Sequence, residues 1–242
     1  MFVPGKRRGG VRYFFVALSL FSVVLALVVF LPVYYAFVAG KLPIAAVIHV
    51  HALLMSLWLA AFLTQAVLAS TGRIGLHRMV GAFGITLGVA VWASMVFVEM
   101  RSIVVQPVPN KASDYDWLLP GVYCYTTFLL FFAGAVCLRR TPAWHKRLML
   151  FATFVAVQAV ETRMAWLPHA SIGYWSDFAY VDACLLLPLI AYDFATTKRV
   201  HAATLTATAI MLSAQVAVVL TWGTPGWHRT ASAAVLAIRA AF

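Results

Sequence analysis

Charge is scarce in this sequence. Only 10% of the 242 residues are Asp, Glu, Lys or Arg, whereas 64% are apolar. A soluble domain usually carries about 25% charged residues and less than about 50% apolar ones. A soluble fold of this length could not bury so much apolar surface. The composition therefore excludes a soluble domain and predicts a chain that uses lipid as its solvent.

Acidic residues are fewer than basic ones: the chain has seven Asp and Glu and eighteen Lys and Arg. The resulting net charge of +11 would suit nucleic acid, but basic residues beside apolar segments are the usual topology signal of membrane proteins. No basic face could form away from the membrane. The expected partner is the lipid bilayer, and no nucleic-acid partner is predicted.

Several chemical signatures are also missing. The three cysteines, Cys124, Cys137 and Cys184, lie in apolar runs without CxxC spacing, which is typical of small core residues. The sequence has no P-loop, no G-x-S-x-G, no H-E-x-x-H and no CxxCH. These absences argue against ATP-driven transport by this chain alone and against covalently attached haem.

Long apolar runs are what the sequence has. A transmembrane helix needs about 20 apolar residues, and it must be helical because its backbone finds no water. The first run is too long for a signal peptide, whose apolar region has about 7–15 residues, so it is interpreted as an uncleaved span. We predict an all-α single transmembrane domain over 1–242 with seven spans: 13–39, 44–70, 79–100, 117–138, 148–167, 174–195 and 202–222.

The loops between these runs differ in charge. Assigned alternately to two sides, they give twelve Lys and Arg on one side and six on the other. Cytoplasmic loops carry the basic excess. This predicts a bacterial inner-membrane protein with its N-terminus in the cytoplasm and its C-terminus outside. The outer tail, 223–242, is expected either to form a short surface helix or to fray.

Polar side chains at one depth form a candidate site. Ionisable groups inside a span are costly and indicate function. At 1.5 Å per residue, four polar groups lie about 9–12 Å below the outer surface on four different spans. They are His51, Tyr125, Glu161 and Asp182. The candidate metal ligands are His49, His51, Glu161 and Asp182, with Glu99, Arg163 and Tyr125 in support.

Two other interpretations of this layer stay open. Arg163 could pair with Glu161 or Asp182 in a structural ion-pair network. Alternatively, these three residues could line a substrate or proton path. His49 could join a metal site only where the chain is not helical, because residues i and i+2 of a helix point about 200° apart.

His77 and His145 form a second candidate, for haem b. They have matching depth at the cytoplasmic starts of the third and fifth spans. Two axial histidines of a haem must lie at matching depth on facing helices, and basic neighbours could meet its propionates. The alternative is that both are interfacial residues that touch lipid headgroups. Asp193, at the cytoplasmic end of the sixth span, is interpreted as an anchor with partners among Lys198, Arg199 and His201.

Short motifs add a resemblance. The chain carries His49, Gln65, Gly72-Arg73, His77-Arg78 and Gly81, then His145-Lys146-Arg147-Leu148-Met149 and Arg163. Over about residues 44–167 it resembles an uncharacterised bacterial family of multi-pass membrane proteins, which implies a multi-pass fold and no established reaction. A weaker likeness is to b561-type membrane cytochromes, which implies haem between transmembrane histidines.

Three functions follow as hypotheses. The first is a redox or metal-binding membrane protein, with a transition metal or haem b as cofactor. The second is a small proton-coupled transporter in which Glu161, Arg163 and Asp182 line the path. The third is a structural or assembly subunit that works with other membrane subunits.

Overall fold

Helices make up the described part of the chain. The computed structural model describes residues 12–105, 111–158 and 175–241, and no strand occurs among them. The predicted all-α class is confirmed for these residues. The α-helices are α1 (Phe14–Val38), α2 (Ala46–Ser70), α3 (Ile74–Val105), α4 (Leu118–Cys137), α5 (Pro142–Val157), α6 (Trp175–Thr197), α7 (Ala202–Thr221) and α8 (Pro225–Ala241).

Five described segments are long and apolar enough to cross a membrane, where the sequence predicts seven. They are Phe14–Val38, Ala46–Ser70, Ile74–Val105, Ser113–Cys137 and Ala202–Thr221. Large apolar side chains cover their outer surface, such as Phe83 at 75% and Leu220 at 72% exposure. Water would penalise that surface, and lipid tails would not. α3 also extends past both ends of the predicted span 79–100.

α5 lies at the centre of the bundle. It begins with Pro142 at its first turn, where a missing N–H costs nothing. From Arg147 to Gln158 every residue except Met149 is buried. Helices α1, α2, α4 and α7 contact it on different sides. A helix that is apolar all round is expected at the centre of a bundle, so polar groups on α5 need partners from its neighbours.

Contacts at both ends show that α1 and α2 are antiparallel. Arg12 Nε donates to the carbonyl oxygen of Ser70 at 2.6 Å, which joins the start of α1 to the end of α2. At the other end of the pair, the Tyr34 hydroxyl lies 3.2 Å from His49 Nδ1. Gly72 has φ +80°, which permits the tight turn into α3. The end with Arg12 and the α2–α3 turn is called the basic end below, and the other the opposite end.

The C-terminal segment forms a docked helix at the opposite end. Of the two predicted alternatives, a surface helix and a frayed tail, the described residues form a helix, α8. Its Ala231 and Val235 pack against Ile103 of α3 in a small second core. Asp116, just after the short 3-10 helix Ala112–Tyr115, pairs with His228 of α8 at 3.1 Å. Apolar contact and the hydrogen bond between His228 and Asp116 thus fix α8 to the bundle.

Candidate functional site

Asp182 of α6 is a buried carboxyl group held by two glutamines. Gln158 Nε2 donates to Asp182 Oδ1 at 3.3 Å, and Gln215 Nε2 donates to Asp182 Oδ2 at 2.8 Å. Asp182 is 7% exposed, and both glutamines are 2% exposed. The two carboxyl oxygens therefore each accept a hydrogen bond from a neutral amide inside the bundle.

Four helices meet at this carboxyl. Gln158 follows the last residue of α5, and Gln215 lies on α7. Gln215 Nε2 also lies 3.1 Å from the hydroxyl oxygen of Tyr123 on α4. Tyr123 is buried at 4% exposure. We name Tyr123, Gln158, Asp182 and Gln215 the Asp182 cluster.

The cluster contains no cation within the described residues. Among the described residues, Arg147 forms an ion pair with Asp193 and His228 forms a hydrogen bond with Asp116, and neither contact involves Asp182. The Oε1 atom of Gln158 is buried without a hydrogen-bond partner. The cluster therefore combines a carboxyl group with a spare carbonyl acceptor, and both can interact with a proton donor or a small cation.

The other predicted ligands of the outer layer have separate neighbours. His51 Nδ1 lies 2.9 Å from Ser94 Oγ, whose hydrogen is donated to the carbonyl of Val91. Because a hydroxyl has one hydrogen, His51 Nδ1 is the donor in that contact. His49 pairs with Tyr34, as described above. Among residues 12–105, 111–158 and 175–241, no three His, Cys, Asp or Glu side chains gather into a metal-binding group.

Glu99 and Tyr125, two of the predicted supporting residues, lie near each other. Tyr125 and Glu99 interact electrostatically. The Glu99 carboxyl packs directly over Gly121 of α4. A Cβ at position 121 would lie within 2.7 Å of the carboxyl oxygens, so a larger residue there would make the Glu99 carboxyl shift. Glu161 and Arg163, the remaining predicted members of the layer, lie outside the described residues.

His77 and His145 come together at the basic end. Their ring centroids are 6.4 Å apart, and the ring planes make an angle of 88°. His77 Nδ1 lies 3.3 Å from the carbonyl oxygen of Gln65 on α2. His145 Nδ1 lies 2.8 Å from the carbonyl oxygen of Ala135 on α4. Each ring is thus tied to the backbone of a neighbouring helix.

A buried ion pair at the same end was not predicted. Arg147 Nη2 donates to Asp193 Oδ1, and the side chains are 2% and 0% exposed. Arg147 Nε donates to Thr204 Oγ1 at 3.1 Å, and Thr204 Oγ1 donates to Asp193 Oδ2 at 2.6 Å. The backbone N–H of His201 completes the set at 2.9 Å. This network joins α5, α6 and α7 with its charges satisfied.

The sequence interpretation of Asp193 is corrected by this network. It placed the partners of Asp193 among Lys198, Arg199 and His201, but the charged partner is Arg147, 46 positions earlier. His201 contributes its backbone N–H and not its ring. The missed signal was Arg147 itself, a charged residue that begins the buried stretch of α5.

His201 caps α7 in its neutral form. Its Nδ1 accepts a hydrogen bond from the backbone N–H of Ala203 at 3.0 Å. Burial lowers the pKa of the His201 ring below its ordinary value of 6.5, and the cations Arg147, Lys146 and Arg199 add to the lowering, against the opposing carboxylate of Asp193. A protonated ring could not accept this bond.

The cap predicts a loss of stability in acid. Because the folded pKa of His201 is lowered, its contribution is complete above pH 6.5 and is lost as pH falls from 6.5 through the lowered folded pKa. The expected loss is about 1 kcal/mol, the typical value of a helix cap. Unfolding in detergent from pH 7.5 to 5 should show it. His201→Asn keeps a capping acceptor that does not titrate, so its stability should fall less than that of the wild type. Equal pH profiles would contradict the prediction.

Comparison with known proteins gives no relatives. No family model, no curated protein and no solved structure matches the chain.

Proposed function

We propose that the chain is a proton-coupled carrier in a bacterial plasma membrane, and that Asp182 is the group that takes up and releases the proton. The supporting observation is that Asp182 is buried between the amides of Gln158 and Gln215 without a cation among the described residues. A buried carboxylate without a counter-charge contributes little to stability, but such a carboxyl group can take up and release a proton.

The energetics favour a functional role over a structural one. Burying an ionised carboxylate without a counter-charge is costly, and intramembrane carboxyl groups mark proton relays and ion pathways. Two amide donors reduce that cost without removing it. Uptake of a proton, or arrival of a cation bound by Asp182 and Gln158 Oε1, would remove the charge. The binding state of the cluster is therefore coupled to the packing of α4, α5, α6 and α7.

The topology that we propose has seven spans with the N-terminus in the cytoplasm. The antiparallel α1–α2 pair and the meeting of His77 with His145 agree with the alternation of loops from which the charge count was made. Twelve Lys and Arg on the N-terminal side against six on the other support the orientation. α5 and α6 would then complete the five candidate spans to seven. Membership of the uncharacterised bacterial family stays a prediction.

A metal site in the outer layer has less support. His51 and Asp182 have separate hydrogen-bond partners, Ser94 for the first and two glutamines for the second. A transition metal would have to compete with the two glutamine amides for the Asp182 carboxyl.

Asp182→Asn tests the proposal. Asparagine keeps the oxygen that accepts from Gln215 but carries no titratable proton. We expect proton uptake into proteoliposomes, driven by a potassium diffusion potential and reported by an internal pH dye, to fall to that of protein-free vesicles. We also expect unchanged or higher resistance to unfolding, because a buried charge is removed.

Asp114→Asn is the matched control. Asp114 is exposed in the short 3-10 helix and accepts from the backbone N–H of Lys111. The same substitution there should leave proton uptake unchanged. If Asp182→Asn protein takes up protons as the wild type does, or if it unfolds more readily while uptake persists, Asp182 is a packing residue and the proposal is wrong.

A further inference from the structure

We infer that His77 and His145 form a binding site for one divalent transition-metal ion at the basic end, between α3 and α5. The inference is independent of the proton carrier proposed above, because the two histidines share no contact with the Asp182 cluster among the described residues.

The ring nitrogens are assigned by their partners. A carbonyl oxygen only accepts, so His77 Nδ1 and His145 Nδ1, which face the carbonyls of Gln65 and Ala135, must both carry hydrogen. The neutral rings therefore keep the lone pair on Nε2. Metal-binding histidines usually show this arrangement, in which the other ring nitrogen donates to a carbonyl and fixes the tautomer.

The separation of the rings suits one shared ion. A ring nitrogen lies about 1 Å from its centroid, and a bond from imidazole nitrogen to zinc is about 2 Å long. Two imidazoles on one ion thus place their centroids about 5–6 Å apart. The observed centroid distance of 6.4 Å has to shorten by about 0.4–1.4 Å to reach this range. Hydrogen bonds from the Nδ1 atoms to carbonyls of α2 and α4 already orient both rings, so metal binding has little left to order in these side chains.

The chemistry of the pair selects the ion. Imidazole suits Zn²⁺, Ni²⁺ and Cu²⁺, and Cu²⁺ binds tightest in the usual order. No third His, Cys, Asp or Glu joins the pair within the part of the chain that is described, so water or an exchangeable ligand fills the other positions. Arg78, next to His77 in the chain, is a nearby cation that lowers the affinity. The site is therefore expected to exchange its ion.

Copper titration tests the site. Chelator-stripped protein in detergent should bind one Cu²⁺ saturably, and its electron paramagnetic resonance spectrum should show coupling to two imidazole nitrogens. His77→Gln and His145→Gln keep an amide that can donate to the carbonyl but remove the ligand. Each should weaken Cu²⁺ binding by about tenfold or more, since loss of even an outer-shell partner costs about 10–100-fold.

His201→Asn is the matched control, because it removes a histidine at the same end without touching the pair. Its affinity for Cu²⁺ should equal that of the wild type. The inference is overturned if binding is not saturable, if His77→Gln and His145→Gln bind as the wild type does, or if His201→Asn loses as much affinity. A haem absorption band that both site variants lose would also overturn it. If a variant does not fold, coupling to fewer than two imidazoles in the wild-type spectrum decides against the site.

Discussion

Replacing Asp193 with alanine is expected to lower the free energy of unfolding by about 3–5 kcal/mol. The substitution leaves the guanidinium of Arg147 buried at 2% exposure without its carboxylate. It also removes the acceptor of the Thr204 hydroxyl and of the His201 backbone N–H. Breaking one partner of a buried pair costs far more than the pair contributes, because the other charge stays in the bundle.

A double substitution separates the cost of leaving one charge unpaired from the net contribution of the Arg147–Asp193 pair to stability. Arg147→Met with Asp193→Leu replaces both charges by apolar groups of similar size. Such replacements are often neutral or stabilising. We therefore expect the double variant to recover most of the stability that either single variant loses. Unfolding by SDS in mixed micelles, followed by circular dichroism, gives the three free energies.

Arg199→Ala is the control at the same end of the bundle. Arg199 is exposed and is one of the partners that the sequence suggested for Asp193. Its removal should change the stability by less than about 0.5 kcal/mol, as for most surface substitutions. A loss as large as that of Asp193→Ala would show that the suggested partner, and not Arg147, holds the carboxylate.

The helices could be predicted from the sequence because the solvent leaves the backbone no alternative. Residues 44–70 are almost continuously apolar, and lipid forces such a run into a helix; the structure has α2 at Ala46–Ser70. The orientation, which stays a prediction, rests on a rule about the charge of loops alone. Neither prediction required knowledge of which helix faces which.

For the candidate site, the sequence predicts how deep each residue lies in the membrane, but not the direction in which its side chain points. Depth follows from counting 1.5 Å per residue, and it placed Asp182 and a tyrosine of the fourth span in one layer. Direction depends on helix rotation, and residues two apart point about 200° from each other. The sequence suggested Tyr125, which lies near Glu99, whereas Tyr123 reaches Gln215. Gln215 was missed because an uncharged amide in an apolar run gives no signal of its own.

The sequence also does not reveal which side chains on different helices contact each other. Arg147 and Asp193 are 46 positions apart, and nothing in either segment identifies the other. His77 and His145 were easier to relate, because the sequence places both at the same depth, at the starts of two spans. Their meeting at 6.4 Å required in addition that α3 and α5 be brought close by α2 and α4.

Gly88→Ala is the second large destabilisation that we expect. Gly88 of α3 is buried against the ring of Phe132 on α4, and a Cβ at position 88 would overlap the Cζ and Cε2 atoms of that ring. The ring cannot move freely. Phe132 is 4% exposed, stacks on Phe128 at 5.8 Å and meets the edge of Trp58 at 5.7 Å. Small residues allow membrane helices to approach this closely.

The expected cost is about 1–3 kcal/mol, the range for inserting atoms into a packed core. It must exceed the gain of about 0.5–1 kcal/mol that alanine brings to a helix by restricting the unfolded chain. Gly84→Ala, one turn earlier on α3, measures that gain alone, since a Cβ there meets nothing within 4 Å. The two substitutions should therefore shift unfolding by SDS in opposite directions.

Phe132→Leu should relieve the clash. Leucine lacks the distal ring atoms, so Gly88→Ala should cost less in the Phe132→Leu background than in the wild type. A coupling free energy of about 1 kcal/mol or more is expected, since touching residues couple by about 0.5–3 kcal/mol. If Gly88→Ala stabilises the protein as Gly84→Ala does, α3 and α4 do not pack through this contact.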